Sequence, residues 1–204
     1  MSPEGKKQSS SPKEGLKELK ISLVQPEDFE GILEVQYKAA LKNYPNDELG
    51  ITADDIDADY VEARTPEKIR EGEERWRNLP ENLNQRYFVA KSGGKVVGFC
   101  VVDRYEDKNQ VNGIYIDPDF QGQGLGKKFW EEAAKFLDPS KDTVVMVLPY
   151  NTQAKGFYAT LGFEETGNRA NDGDGTQMKS GAVMPVPIEM VRKSDAVNPH
   201  RSEG

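Results

Sequence analysis

The chain has 204 residues, 30% of them charged, and a formal net charge of −8, which suits one globular domain with a sizeable core. Its only histidine is His200 and its only cysteine is Cys100. A single cysteine excludes an internal disulfide and a cysteine-based zinc site. Because the single histidine lies in a polar tail, a Ser-His or Cys-His catalytic pair and a metal site of several histidines are nearly excluded. The negative charge disfavours a nucleic-acid partner.

The sequence also predicts where the protein works and how far its fold extends. No apolar run approaches the ~20 residues that span a membrane, the N-terminus lacks the apolar region of a signal peptide, and a lone cysteine agrees with a reducing compartment. We therefore expect a cytoplasmic protein without a membrane partner. Residues 1–18 and 192–204 are polar and predicted to be disordered tails, which leaves one folded domain over residues 19–191.

Hydrophobic periodicity and turn residues predict the elements of this domain. Thr52 and Asp55 have the spacing of a capping box at the start of a helix, and Gly93-Gly94 joins two apolar runs as a hairpin turn does. The order of elements predicts an α/β layered domain around a mixed sheet. In chain order we predict a strand at 19–24, helices from 29 to about 44, over 53–63 and over 66–79, a hairpin over 86–104, a strand at 111–117, a helix over 124–137, a strand at 143–148, a helix over 151–163, and strands at 163–168 and 186–193 around a polar loop, 168–182.

Three glycines, Gly122, Gly124 and Gly126, stand at every second position between a predicted strand and a predicted helix. They match neither a P-loop, whose first glycine and Ser/Thr are missing, nor the dinucleotide-binding turn, whose third glycine is replaced by lysine. Bare backbone at a helix N-terminus binds anions through its N–H groups, and lysines at 127–128 add positive charge. The alternative is a plain strand-to-helix turn, which accounts for one glycine more readily than for three.

The stretch IYIDPDFQGQGLGKKF resembles the acetyl-CoA pyrophosphate loop of the GNAT superfamily, the Gcn5-related N-acetyltransferases. A second stretch, NTQAKGFYATLGF, resembles another sequence block of that family, and the two blocks stand in the family's order and spacing over residues 111–163. The resemblance implies a mixed, mostly antiparallel central sheet with helices on both faces. It also implies that the fourth and fifth strands splay apart, so that the pantetheine arm lies between them.

The resemblance further implies acetyl-CoA as cosubstrate, no metal, and a set of binding residues. The fourth strand would pair with the pantetheine arm, the glycine-rich loop would hold the pyrophosphate, and Asn151 would reach one of the two. Tyr158, two helical turns after Asn151 and on the same helix face, would be the general acid that protonates the departing thiolate; its other interpretation is a core aromatic. The strand and loop residues are Tyr115, Ile116, Asp117, Gln121, Gly122, Gln123, Gly124, Leu125 and Gly126.

The general base that relatives carry is missing. Gln110 and Met146 stand where different relatives have a glutamate, and the Met146 departure argues against the ribosomal-protein N-termini that one group of relatives acetylates. Deprotonation of the amine is left to ordered water or to Asp103, Glu106 or Asp107.

Acceptor recognition in the family comes from the region after the first helix and from the last hairpin, here residues 43–60 and 168–182. The first segment is acidic, either as a rim for a cationic amine or as a solvated helix face, and Tyr44 is a candidate for the pocket wall. The stretch NDGDG at 171–175 lacks the spacing of a calcium loop and predicts a turn.

The predicted function is an acetyl-CoA-dependent N-acetyltransferase that acts on a primary amine, either a small cationic amine or a peptide or protein amino group. One alternative is a non-catalytic acyl-CoA-binding or sensory module that kept the fold and lost the base. A tRNA-directed enzyme is a third, disfavoured by the negative charge. The acceptor, the acyl group and the oligomeric state stay open, a homodimer being one option.

Overall fold

The computed structural model describes residues 19–61, 64–77 and 83–194. The predicted tail 1–18 and residues 195–204 of the second tail lie outside these ranges. The strands are β1 (Lys20–Leu23), β2 (Gln85–Ser92), β3 (Lys95–Arg104), β4 (Asn109–Ile116), β5 (Thr143–Val147), β6 (Glu164–Arg169), β7 (Thr176–Gln177), β8 (Val183–Met184) and β9 (Ile188–Arg192). The helices are α1 (Phe29–Asn43), α2 (Ala53–Val61), α3 (Pro66–Arg77), α4 (Leu125–Phe136) and α5 (Thr152–Thr160), with 3₁₀ turns at Pro26–Asp28, Asp47–Leu49 and Pro118–Phe120.

A mixed, mostly antiparallel sheet runs through the molecule in the strand order β1-β2-β3-β4-β5-β9-β6. Neighbouring strands are antiparallel except β4 and β5, which are parallel. Alternate residues of a strand point to opposite faces, and those of β3 divide accordingly. Phe99 and Val101 pack with α1 and α3, whereas Cys100 and Val102 pack with α4 and α5. The predicted fold class, with helices on both faces, is confirmed.

The strands β4 and β5 pair over a short distance and then diverge. Their register covers Asn109↔Thr143, Gln110↔Val144 and Val111↔Val145; farther along, β5 pairs only with β9. Asn109, 1% exposed, holds the closed end. Its Nδ2 donates to the Asp138 carbonyl oxygen at 2.8 Å and to Thr143 Oγ1 at 3.3 Å, and its Oδ1 accepts from Asp138 N at 3.1 Å. The splayed fourth and fifth strands are thereby confirmed.

The predicted polar loop 168–182 contains a hairpin that the sequence did not indicate. Thr176 pairs with Met184, and Met178, 6% exposed, packs against Ile51 and the start of α2. Ser180 N donates to Asp55 Oδ1 at 2.7 Å. Strands of two residues have no readable periodicity, and this hairpin forms because tertiary contacts anchor it.

The capping box predicted at α2 is present and also serves this hairpin. Thr52 N donates to Asp55 Oδ2 at 2.9 Å, and Asp55 N donates to Thr52 Oγ1 at 3.2 Å. The Thr52 backbone N–H and the bonds from Ser180 lower the pKa of Asp55 to about 2. One carboxylate therefore joins α2 to the hairpin.

The ends of several elements differ from their predicted bounds. β9 ends at Arg192, and Ser194 N donates to Asp142 Oδ1 at 2.9 Å. Residues 62–63 and 78–79, the predicted ends of two helices, lie outside the described ranges. Within those ranges, every helix is too short or too polar to cross a bilayer.

Candidate active site

A cleft of about 630 Å³ opens where β4 and β5 diverge. Its walls come from the C-terminal part of α1, the second half of β4, the glycine-rich loop, the start of α4, the end of β5 and α5. The predicted site residues that line it are Tyr115, Ile116, Gln121, Gly122, Gly124, Leu125, Gly126, Asn151 and Tyr158.

The three glycines of the loop are needed for two different reasons. Gly122 and Gly124 have φ of +72° and +81°, a left-handed conformation in which other residues are strained. Gly126 has no such φ, but a β-carbon there would lie 2.9 Å from Cε2 of Phe157. A turn requirement therefore accounts for the first two glycines and packing for the third.

The anion-binding interpretation rests on where this loop lies. Gly124 is the N-cap of α4, and the first intrahelical bond of that helix runs from Lys128 N to the Gly124 carbonyl oxygen at 3.2 Å. The N–H groups of the first turn therefore have no partner within the helix, and residues 124–127 line the cleft. Among the described residues that line it, Lys127 alone is charged.

Gln121 fixes the loop to the sheet and to α1. Its Nε2 donates to the Ile116 carbonyl oxygen at 3.0 Å, and its Oε1 accepts from Lys42 Nζ at 2.9 Å. The amide thus spans the end of β4 and the last turn of α1, which sets the width of the cleft at this point.

Two predicted cofactor residues, Asp117 and Gln123, do not line the cleft. Asp117 is buried; its carboxylate accepts from Asp119 N at 3.1 Å and from Lys38 Nζ at 3.1 Å, and this hydrogen bond raises the pKa of Lys38. Gln123 Nε2 donates to the Asp119 carbonyl oxygen at 3.1 Å. Both side chains brace the turn from outside, and their contact with a cofactor stays a prediction.

Tyr158 is a core aromatic that also lines the cleft, and its role as general acid stays a prediction. It is 5% exposed and packs against Phe157 and Phe163, with ring centroids 5.1 and 5.5 Å away, yet it also lines the cleft. Burial raises the pKa of its hydroxyl well above the usual value, and a hydrogen bond from the Ile114 backbone acts in the opposite direction. The hydroxyl therefore keeps its proton and is available as a donor.

Asn151 begins the helix that carries Tyr158. Its Oδ1 accepts from Ala154 N at 3.0 Å, the bond of an N-cap, for which asparagine is among the best residues. Its position on the cleft wall leaves the side-chain Nδ2 as the group that can donate to a ligand.

Tyr44 and Tyr115 form the wall of the cleft near the end of α1. Tyr44 lines the cleft, and its backbone carbonyl oxygen accepts from the Tyr150 hydroxyl at 2.8 Å. Burial raises the pKa of Tyr44, and a hydrogen bond with the Tyr115 hydroxyl adds to this. The sequence-based expectation that Tyr44 walls the pocket agrees with this placement.

The acidic segment after α1 contributes no carboxylate to this wall among its described side chains. Asp55 binds the hairpin, and Asp57 accepts from Tyr37 and pairs with Arg64 at 3.3 Å. The cleft lining, as far as the described residues go, has no Asp, Glu or His. The acidic-rim hypothesis therefore gains no support.

The candidate bases lie off the cleft as well. Glu106 and Asp107 are exposed in the turn between β3 and β4. Asp103 lines no part of the cleft but accepts a hydrogen bond from Asn112 Nδ2, and Asn112 does line it. Asp103 is thus the candidate connected to the site.

Sequence reasoning missed Asn112, and from α1 also Ala39, which line the cleft. Asn43 lines it too and is the first residue of the predicted acceptor segment 43–60. The periodicity of α1 predicts which face meets the sheet but not which turn reaches the gap between two strands. For Asn112 a signal was present, because a polar residue followed by Gly113 inside an apolar strand indicates a bulge.

This chain resembles known acetyltransferases in sequence. A model of the acetyltransferase (GNAT) domain matches residues 83–165, which include the glycine-rich loop and α5. A ribosomal-protein alanine N-acetyltransferase of Escherichia coli is 29% identical over 119 residues, 56% of this chain and 80% of its own. A peptidyl-lysine N-acetyltransferase of Salmonella typhimurium is 44% identical over 62 residues, 30% of this chain and 41% of its own.

A solved structure supports the same fold. The PaiA N-acetyltransferase of Thermoplasma acidophilum, determined in complex with coenzyme A, superposes with a TM-score of 0.60. The match covers 86% of this chain and 98% of the other at 20% identity, so the similarity establishes the architecture.

Proposed function

The chain belongs to the GNAT superfamily of N-acetyltransferases, and on that premise we propose that it uses acetyl-CoA to acetylate a primary amine. One observation carries the proposal: where β4 and β5 diverge, a single cleft is lined by a helix N-terminus with two left-handed glycines and by the Tyr158 hydroxyl. The first group suits a diphosphate and the second a departing thiolate.

The residues present fit a CoA diphosphate. Its charge would lie at the N-terminus of α4, where unpaired N–H groups and the helix dipole favour an anion. At Gly122 and Gly124 a β-carbon would meet nothing within 4 Å, so the space over this backbone is open to a ligand. Lys127 adds a positive charge on the same wall.

The pantetheine arm would lie along β4 beyond Val111. From there to Ile116, the edge of β4 that faces β5 has no strand partner. Successive residues of a strand direct their backbone groups to opposite edges, and Asp117 N donates to the Val97 carbonyl oxygen of β3. Ile116 rather than Tyr115 therefore presents its N–H on the open edge, where it can pair with an amide of an extended ligand, in the way that an added strand does. A backbone N–H on this edge near Ile116 would also stabilise the oxyanion of the reacting carbonyl.

Acetyl transfer from acetyl-CoA requires a neutral amine as nucleophile and a proton donor for the departing thiolate. Because no described residue that lines the cleft carries a carboxylate or an imidazole, we propose that the amine loses its proton to water and reacts once neutral. The nitrogen becomes positive as its bond to the carbonyl carbon forms, and Tyr158 donates its proton to the sulfur as the carbon–sulfur bond breaks. The proton that the nitrogen then releases passes through water to the Tyr158 oxygen, which restores the hydroxyl. Burial keeps that hydroxyl protonated, which is the form an acid needs.

For the acceptor we favour an amino group of a peptide or protein over a small cationic amine. The relatives from Escherichia coli and Salmonella typhimurium are named for acetylation of a protein alanine and of a peptidyl lysine. Among the described residues that line the cleft, Lys127 alone is charged, so none of them offers a carboxylate to the charge of a small cationic amine. The cytoplasmic location and a homodimer stay predictions.

The test is an acetyl-transfer assay with the full chain. An alanine-initiated peptide, an Nα-blocked lysine peptide and a polyamine would each be incubated with acetyl-CoA, with free thiol and acetylated product measured separately. Transfer to at least one amine supports the proposal. Tight binding of acetyl-CoA with no release of free CoA thiol in the presence of any of the amines would favour the alternative, a non-catalytic acyl-CoA-binding module. The absence of the glutamates that relatives carry as general base suggests this alternative.

A further inference from the structure

Asn112 is a polar residue at the point where β4 and β5 part. It follows Val111, the last residue of β4 that pairs with β5. Toward β3, Val111 pairs with Val102 and Gly113 with Val101, so Asn112 between them has no partner residue in β3. In a bulge of this kind the extra residue stands outside the ladder. Asn112 is exposed and lines the cleft, so its side chain faces the space where the two strands open.

The side-chain amide of Asn112 is held from both ends. Its Nδ2 donates to Asp103 Oδ2, and its Oδ1 accepts from Gln110 Nε2 at 2.8 Å. Asp103 is 7% exposed and also accepts from the Tyr105 hydroxyl at 3.4 Å. A hydrogen bond to a carboxylate is stronger than one between neutral groups, so Asp103 fixes the orientation of the amide. An amide oxygen has two acceptor positions, and Gln110 occupies one of them.

We propose that Asn112 binds the acceptor amine, with Asp103 as the residue that positions it. The inference rests on the proposed function, since it presumes an amine in this cleft. A neutral amine attacks through its lone pair, so its N–H groups must be held by acceptors that leave the lone pair directed at the thioester. The second acceptor position of Asn112 Oδ1 provides such a contact at the closed end of the cleft.

The same arrangement suits the charge that develops during attack. The nitrogen becomes positive as its bond to the carbonyl carbon forms, and its N–H groups become stronger donors to Oδ1. The Asp103 carboxylate behind the amide is a fixed negative charge that stabilises this change without touching the amine. Asn112 is neutral, so it can hold a neutral amine without the cost of an unpaired charge.

The experiment measures KM for the amine and for acetyl-CoA separately, with the alanine-initiated peptide and the blocked lysine peptide as probes. In Asn112→Ala we expect the amine KM to rise about 3- to 10-fold, the worth of one hydrogen bond, with an unchanged KM for acetyl-CoA. Asp103→Asn keeps a hydrogen-bond partner but loses the charge. It should raise the amine KM by less and leave the pH dependence of kcat/KM unchanged.

Thr166→Ala is the matched control, since Thr166 is also exposed and its hydroxyl donates to a carboxylate, Glu189, at 2.9 Å, but it lies outside the cleft and outside the two predicted acceptor segments. It should change neither KM. An unchanged amine KM in Asn112→Ala would overturn the inference while wild-type transfer upholds the function. So would a parallel loss of acetyl-CoA affinity or of thermal stability, which indicates a structural role.

A loss of about 100-fold or more in kcat for Asp103→Asn at constant amine KM would make Asp103 the base instead, and the positioning role would be wrong. Wild-type protein that acetylates no probe would refute the proposed function and this inference with it.

Discussion

Gly126 and the ring of Phe157 are in a contact that leaves no room for a side chain: a β-carbon on Gly126 would lie 2.9 Å from Cε2 and 3.0 Å from Cζ. The contact joins the first turn of α4 to α5. Since α4 begins at the glycine-rich loop and α5 carries Tyr158, one ring sets the spacing between the two groups proposed to hold and to protonate coenzyme A.

Gly126→Ala should therefore destabilise the protein by about 1–3 kcal/mol, as overpacking does. Gly156 in α5 is the control, because a β-carbon there meets nothing within 4 Å. Gly156→Ala should stabilise by about 0.5–1 kcal/mol, the gain from replacing a glycine in a helix interior. Urea denaturation of both variants measures the difference. Equal effects would show that the ring yields freely and does not set the spacing.

The buried amide of Asn109 is expected to stabilise the closed end of the diverging strands. Asn109→Ala leaves the Asp138 N–H without its Asn109 partner and removes the bond to the Asp138 carbonyl oxygen, which keeps only the bond from Lys141 N. It should lower the free energy of unfolding by about 2–3 kcal/mol. Asn171 is exposed, and its Oδ1 accepts from Gly173 N at 2.8 Å within the same exposed loop. Asn171→Ala should change the free energy of unfolding by only about 0.5 kcal/mol. Comparable denaturation midpoints for the two variants would contradict this role.

Tyr158→Phe separates binding from proton donation. Loss of a general acid should lower kcat by about 100-fold or more, whereas acetyl-CoA affinity should hardly change, because the ring and its packing remain. Tyr37→Phe removes a hydroxyl that lies outside the cleft and donates to Asp57, and it should leave kcat unchanged. Steady-state kinetics gives kcat for each variant, and calorimetry gives its affinity for acetyl-CoA. A kcat for Tyr158→Phe equal to that of the wild type would show that Tyr158 is not the general acid.

The pH dependence should report the amine rather than the protein. Without a carboxylate or histidine among the described lining residues, kcat/KM should rise about tenfold per pH unit up to the acceptor's own pKa, ~7.7–8.0 for an α-amine and ~10.4 for a lysine. The raised pKa of Tyr158 favours its neutral form, so no alkaline decline is expected below about pH 10. A plateau that begins well below the acceptor's pKa would indicate a protein base.

Local sequence patterns predicted much of the fold. The apolar run at 143–148 became β5, and the Thr52–Asp55 spacing became a real capping box. The start of β4 was placed two residues late, because Asn109 is a polar residue that is buried through bonds to the chain near Asp138. Those partners are far away in sequence, so no local pattern reveals them.

The candidate site was predicted in its loops but not in its walls. The glycine spacing and the NTQAKGFYATLGF block predicted residues that line the cleft from the loop and from α5, and their contact with a cofactor stays a prediction. The position of Ala39 in the cleft wall depends on how α1 crosses the sheet, and the fixed amide of Asn112 depends on a bulge opposite β3. Such features arise from tertiary packing and have no period in the sequence.

Binding of acetyl-CoA to the glycine-rich loop is tested most directly by calorimetry on wild type, Gly124→Glu and Gly167→Glu. The two glycines have nearly equal φ, +81° and +83°, and open surroundings, but Gly167 lies on β6, outside the cleft. A carboxylate at 124 would oppose a diphosphate at the N-terminus of α4, so we predict a Kd raised by at least about tenfold there and unchanged at 167. Equal affinity in all three proteins would contradict the proposed site.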